Sequence, residues 1–395
     1  MMNHLKYFLI ILSLYMTACN SQNNQAISES VSDIQQKNIP DKRLIYWNVD
    51  VQTENGQTCI TGATASETAF SELRDLANEK NIGFEVKLLP EGKFKENSWG
   101  VVTLSVCNIR SGKTHAAELA TQALMGTPVK VYTQSGDWYL VQTPDRYFGW
   151  VDAAGVTLKT NAELAVWKAM DKVLYNKQNG FAYIEADTKS AVECDLVLTD
   201  LLSISGVKKD FYKILMADGR EAFVKKDECV ALDVWKNKNL SIEKVMETAF
   251  NFKGVPYLWG GTSAKMLDCS GLTKSAYYHQ GVILQRDASQ QTFYGELVET
   301  ESGYDKLQTG DLVFFGEKDT NTQKEQVTHV GLCMGNQEFI HASGKVRINS
   351  LDRNSEKYTE HYENGFVRAR RIIGNVDEAG IEWVVDNAFY KEVLP

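Results

Sequence analysis

A repeat at one fixed spacing constrains this chain more than any other feature. Asp137-Trp138-Tyr139-Leu140-Val141 matches Asp210-Phe211-Tyr212-Lys213-Ile214, and Gly149-Trp150-Val151 matches Ala222-Phe223-Val224, both at an offset of 73 residues. Two separated matches at one offset imply two copies of one module. The first copy is written in short strands. Residues 101–107 alternate, and 129–132, 138–143 and 148–151 follow with polar turns between them. Such a pattern predicts a small barrel or sandwich, with Trp138, Trp150 and Phe223 in its cores. Between the copies, Thr160 and Glu163 form a capping box that opens a helix through about Tyr175. Earlier, residues 64–79 carry Ala69, Leu73, Leu76 and Ala77 near helical spacing, which predicts a helix inserted before the first module.

The amino terminus bears on the compartment. Lys6 precedes an apolar run from Tyr7 to Tyr15, broken only by Ser13, and Met16-Thr17-Ala18 lead into Cys19. A basic start, a short apolar stretch and small residues make a secretory signal, and the stretch is too short to span a bilayer. Small residues running into a cysteine resemble the lipobox of bacterial lipoproteins. That resemblance implies a signal peptide at 1–18, lipidation at Cys19, and an exported protein, periplasmic and held at a membrane by an N-terminal lipid anchor. Residues 20–40 are polar and nearly free of aromatics, the composition of a flexible tether. Apolar residues at 43% and aromatics at 10% mark the remainder as globular, and a net charge of −9 argues against nucleic acid as a partner. Beyond Cys19 there are six cysteines. An exported chain can oxidise such residues, and Cys59–Cys107 and Cys194–Cys229 are the pairings considered. No close Cys-x-x-Cys pair supports a structural zinc site.

From Ser241 the pattern changes. Ser241 caps a helix to about Phe252, and Tyr257-Leu258-Trp259-Gly260-Gly261 follows a turn. Asp268-Cys269-Ser270-Gly271-Leu272 then enters a helical segment with Leu272, Ala276 and Tyr277 on one face. Cys269 is thereby expected at a helix start, where unsatisfied N–H groups and the helix dipole favour thiolate and can stabilise an oxyanion. A thiolate nucleophile works with an imidazole base. Residues 326–334 and 338–343 read as two strands of a hairpin centred on Gly335, equidistant from His329 and His341. A turn of three or five residues puts the two histidines opposite each other on one face; a two-residue turn would slip the register and turn His341 away. His115, His279 and His361 are expected on the surface.

The runs YLWGG, DCSGL, GDLVFF, THVGL and FIHAS resemble the NlpC/P60 family of cell-wall peptidases, over about residues 240–372. The resemblance implies a papain-like α+β domain with Cys269 as nucleophile, His329 as base and His341 as the orienting third residue. It needs neither metal nor organic cofactor. Residues 106–151 resemble a bacterial SH3-like module. Two such modules ahead of the peptidase resemble γ-D-glutamyl-L-diamino acid endopeptidases, in which the first module reaches the active site and binds the free amino terminus of L-Ala. By that resemblance Glu118, Tyr147, Asp268, Ser270, Asp287, Ala288 and Ser289 form the substrate pocket, with Tyr257 and Trp259 lining it.

The expected organisation is α+β: a tether at 19–42, a first SH3-like barrel with helical insertion at 43–158, a linker helix and second barrel at 159–235, the peptidase at 240–375, and a tail at 376–395 without an assigned role. The expected partners are peptides of the form L-Ala-γ-D-Glu-diamino acid derived from peptidoglycan. The alternatives are an autolysin acting on intact peptidoglycan, a non-catalytic wall-binding adaptor, and a Cys/His/His metal site.

Overall fold

The computed structural model describes residues 24–54, 56–318, 325–377 and 380–395. Segment 1–23, with the signal and Cys19, lies outside them. The chain divides after Glu96 into two units.

The first unit departs from the sequence expectation. Residues 24–38 are helical rather than a tether. Strands Trp47–Glu54 and Gln57–Thr64 form an antiparallel hairpin, and the helix Glu67–Lys80, capped by Ser66, carries the chain to Gly83–Leu88, parallel to the second strand. Ile27, Val31, Trp47, Ile60, Leu73 and Val86 share one core. The unit is therefore a separate α+β element and not part of the first barrel. Composition misled here: Ile27, Val31 and Ile34 form a narrow helical stripe inside a polar run, wide enough to bury one face.

The second unit begins with the repeat. The strand starts Trp99, Val106, Leu119, Pro128, Trp138, Phe148 and Val156 recur 73 residues later at Lys172, Asn179, Val192, Leu201, Phe211, Glu221 and Cys229. Each set forms a seven-stranded sheet with the same neighbour order. The expected strand at 101–107 is two strands, Trp99–Val102 and Val106–Arg110. The capping box at Thr160 is present, but its helix ends at Ala169, because Lys172–Tyr175 starts the second sheet. A buried Asp200 links the copies: its carboxylate accepts from the N–H groups of Val197 and Met125 at 2.8 and 3.1 Å.

In the last domain the helices Ile242–Asn251 and Cys269–Tyr278 pack on a six-stranded antiparallel sheet. Its order is Glu296–Val298, Phe366–Arg371, Leu312–Lys318, Glu325–Gly335, Glu338–Ser343, Lys345–Ser350. Leu272, Ala276 and Tyr277 enter the core with Phe314, Val330, Leu332 and Ile340. The tail also has a structural place: Ile381–Trp383 pairs with Val282–Leu284, and Val384, Tyr390 and Val393 are buried with Trp167 and Trp235. The six described cysteines are free, so neither considered disulfide is present.

Candidate active site

Cys269 is the first residue of its helix because Asp268 caps it, accepting from the Gly271 N–H at 2.6 Å. The same carboxylate accepts from the Gly260 N–H at 2.9 Å, tying the helix start to the YLWGG loop. Gly260 sits at φ 80°, and a Cβ there would lie 2.3 Å from the Leu119 carbonyl oxygen, so the first barrel's backbone can close on this loop only at glycine. Arg286, almost completely buried, completes the network. It pairs with both Asp268 oxygens and donates to Ser270 Oγ at 2.9 Å and to Thr121 Oγ1 of the first barrel at 3.0 Å. Asp268 and Ser270 are thus framework for the nucleophile, with the Asp268 charge already matched by a guanidinium.

The Cys269 side chain is 7% exposed. Burial, helped by Asp268, pushes its thiol up to about 12, while backbone groups of Val330 and Ser270 act in the opposite sense. A helix start favours thiolate, but desolvation outweighs it here. A Cys269 acting as nucleophile would have to pass its proton to a base as it attacked.

The candidate base is held next to Val330. Strands Glu325–Gly335 and Glu338–Ser343 pair Leu332 with Ile340 and Cys333 with Phe339, so His341 stands diagonal to His329 rather than opposite it. The turn holds two residues, Asn336 and Gln337, both at positive φ. Alone it would put the histidines on opposite faces, and a bulge between Cys333 and Gly335 restores the parity, though not the opposed register. The histidines therefore share a face despite the even turn, with His329 Nε2 2.8 Å from His341 Nδ1. Burial lowers His341 to about 4, and burial together with His341 lowers His329 to about 3. Both rings are neutral at physiological pH, the state a general base requires. Tyr362 covers the pair, with ring centroids 5.8 Å from His329 and 4.9 Å from His341. His341 Nε2 lies 2.9 Å from Asn349 Oδ1 on the next strand.

The remaining residues divide. Tyr147 of the first barrel meets Asp287, Oη to Oδ2, at 3.1 Å. Asp287 caps the short helix Ala288–Gln291 through a capping box, which places Ala288 and Ser289 in its first turn. Tyr257 is partly buried, and its hydroxyl is raised by burial and then by Cys269 and Asp268, so it lies within electrostatic reach of the nucleophile. Trp259 is 62% exposed and offers an open aromatic wall. Glu118 is exposed beside Leu119, the residue that abuts Gly260. His115 and His361 are exposed as expected, but His279 is not: it bridges Thr248 Oγ1 at 3.1 Å and Asn176 Oδ1 of the second barrel at 2.9 Å. It was expected on the surface because its helical position alone does not reveal a domain seam. Arg286, Asn349 and Tyr362 were not singled out in the sequence. For Asn349 the available signal was parity: in an alternating strand, 347 and 349 face the same way as 341 across the ladder.

Residues 254–368 match the NlpC/P60 family, and residues 109–156, within the first of the two repeated sheets, match the bacterial dipeptidyl-peptidase Sh3 domain. The chain is 29% identical over 262 residues to a gamma-D-glutamyl-L-lysine dipeptidyl-peptidase of Bacillus cereus, covering 63% of this chain and 75% of that protein. It is 27% identical to dipeptidyl-peptidase 6 of Lysinibacillus sphaericus, covering 66% and 94%. A crystal structure of an NlpC/P60 family protein from Bacillus cereus superposes with a TM-score of 0.59 at 24% identity, over 69% of this chain and 99% of that one, a likeness of fold. Residues 254–368 are accordingly an NlpC/P60 cysteine peptidase domain, preceded by a bacterial dipeptidyl-peptidase SH3 domain.

Proposed function

We propose that the protein hydrolyses the bond between γ-D-glutamyl and a diamino acid in peptidoglycan stem peptides that begin with free L-Ala. His329 takes the Cys269 proton and the sulfur attacks the γ-carbonyl carbon, while helix-start N–H groups stabilise the oxyanion. The intermediate collapses to a thioester, and the diamino acid amine leaves with the proton from His329. Water, deprotonated by His329, then attacks the thioester, frees L-Ala-D-Glu, and returns the proton to sulfur. His341 holds the base in orientation throughout.

The observation that carries the substrate reading is the Tyr147–Asp287 contact, because it brings a hydroxyl of the first barrel against the carboxylate that follows Arg286 and caps Ala288–Gln291. A carboxylate with a hydroxyl beside it suits an ammonium group, and the exposed Glu118 adds negative charge on the same barrel. Asp268 contributes less than the resemblance implies, since Arg286 neutralises it. The relatives named dipeptidyl-peptidases release dipeptides by name, which agrees with this product. Cell-wall peptidase relatives support an extracytoplasmic location, and we infer that Cys19 supplies a lipid anchor there.

The test is to incubate the mature protein with L-Ala-γ-D-Glu-diamino acid peptides, free and N-acetylated, and identify the products by mass. The expected result is L-Ala-D-Glu from the free peptide, at least roughly a hundredfold slower cleavage of the blocked one, and no cleavage by Cys269→Ala. Equal kcat/KM for the two peptides would favour an autolysin acting on intact wall.

A further inference from the structure

The histidine pair does not end at His341. Three adjacent strands, Glu325–Gly335, Glu338–Ser343 and Lys345–Ser350, each contribute one residue to a line of hydrogen bonds: His329, His341 and Asn349. We propose that Asn349 is a positioning residue that fixes the tautomers of both histidines and thereby leaves His329 Nδ1 as the basic atom. This rests on the peptidase reading above.

The Asn349 Nδ2 position lies 3.0 Å from the Lys357 carbonyl oxygen and 2.8 Å from Thr359 Oγ1. A backbone carbonyl only accepts, so the atom facing it must be the amide nitrogen, and the atom facing His341 must be the amide oxygen. That oxygen only accepts, so His341 Nε2 carries its proton. In a neutral imidazole the other nitrogen then has a lone pair, and His341 Nδ1 accepts. His329 Nε2, 2.8 Å away, must donate to it. His329 Nδ1 is left unprotonated and able to take the thiol proton. A carbonyl on the loop after Lys345–Ser350 thus determines which nitrogen acts as base.

The other groups bearing on the pair do not perform this task. Arg347, on the strand of Asn349, and His361, on the helix Glu360–Asn364, disfavour protonation of His329 by charge. Tyr362 of that helix packs its ring on both imidazoles. Among these, Asn349 is the group with a hydrogen bond to His341 Nε2.

The experiment uses the mature protein with 15N-labelled histidine, and two variants. In the parent protein near pH 7, both His329 and His341 are expected to show the Nε2–H tautomer. Asn349→Leu should lose the single tautomer at His341 and reduce kcat about 10–100-fold with little change in KM, as the loss of an outer-shell partner typically does. Asn349→Asp keeps an acceptor toward His341 but adds a negative charge. It should keep the Nε2–H tautomer and move the acid limb of kcat/KM upward by about 1–3 pH units. A packing role alone would lower stability without moving the tautomer or the pH limb. A parent spectrum with His341 protonated on Nδ1, or full kcat in Asn349→Leu, would overturn the proposal. The tautomer spectra need no substrate, so a wrong substrate assignment would leave them readable and would show itself in the peptide assay instead.

Discussion

Arg286 is the residue on which the local framework depends most. Its guanidinium is 1% exposed and its partner Asp268 8%, and the pair sits between the nucleophile's helix, the YLWGG loop and the first barrel. Burial alone would weaken the guanidinium's hold on its proton, but Asp268, and after it Asp287 and Tyr147, raise it instead. Removing one member leaves the other charged and unmatched in a dry site, which typically costs about 3–5 kcal/mol. Arg286→Leu is therefore expected to lower unfolding free energy by that amount in a denaturant titration, with loss of activity following from a displaced Cys269. A variant as stable as the parent would remove the framework role. The helix start at Cys269 was legible in the sequence, because the residues that set it are adjacent in the chain. The same was not true of Arg286, whose partners lie 18 and 165 residues away, so the motif around it was read as pocket lining.

The hairpin that carries the histidines illustrates what an element's pattern reveals and what it hides. Alternation and a glycine-asparagine turn located both strands correctly. The register could not be read, because a two-residue turn reverses the parity and a bulge reverses it again, leaving His341 two positions away from the station opposite His329. Only parity survives such cancellation, and parity is what puts the imidazoles on one face. The caps Thr160 and Ser241 were legible for the opposite reason: each acts within three residues of itself. The turn contains a testable strain. Gln337 has φ 60°, a left-handed conformation that disfavours a side chain, and its carbonyl accepts from the Leu351 N–H at 2.9 Å, a bond glycine retains. Gln337→Gly is expected to stabilise the protein by about 0.5–1 kcal/mol without altering kcat, as measured by chemical denaturation and peptide assay. Destabilisation would mean that the side chain, and not the backbone, dominates at this position.

At the scale of the second unit, the two barrels, the peptidase domain and the tail meet at seams where shared apolar cores are joined by polar bridges. His279 bridges one seam, and burial, then Lys244, lowers it to about 4. With His329 and His341 lowered to about 3 and 4 from 6.5, the unfolded chain binds three protons before the folded one does. Stability should be complete above about pH 6.5 and fall as pH drops toward 4. A Tm lower by roughly 5–10 °C at pH 4.5 than at pH 7 is expected; a flat profile would contradict it. Repeat spacing made the twin barrels legible, whereas these seams, formed by residues far apart in the chain, had no local signature.

The tail was one such blank, and its contacts converge on the loop that presents Tyr147. Asn387, almost fully buried, donates to the Pro144 carbonyl at 3.0 Å and to Glu382 at 2.8 Å, and Glu382 pairs with Arg146 at 2.6 Å. Asp145, between them, pairs with Lys274 on the Cys269 helix; burial alone would raise its carboxyl, and Lys274 and Thr143 hold it low. Arg146 itself sits at φ 67°, a conformation that these ties sustain. The loop is thus fixed from the tail on one side and from the nucleophile's helix on the other, with Tyr147 next in the chain. If Tyr147 and Asp287 bind the substrate's ammonium, loosening the tail should act on recognition and leave the chemistry alone. Asn387→Ala combined with Glu382→Ala is expected to raise KM for the free peptide about fivefold, the equivalent of one ordinary hydrogen bond of about 1 kcal/mol. It should also narrow the gap between free and N-acetylated peptides and change kcat little. Tyr147→Phe should move the same two quantities in the same direction. A double variant with lowered kcat and an unchanged gap would show instead that the tail supports the nucleophile's helix and has no part in selecting the amino terminus.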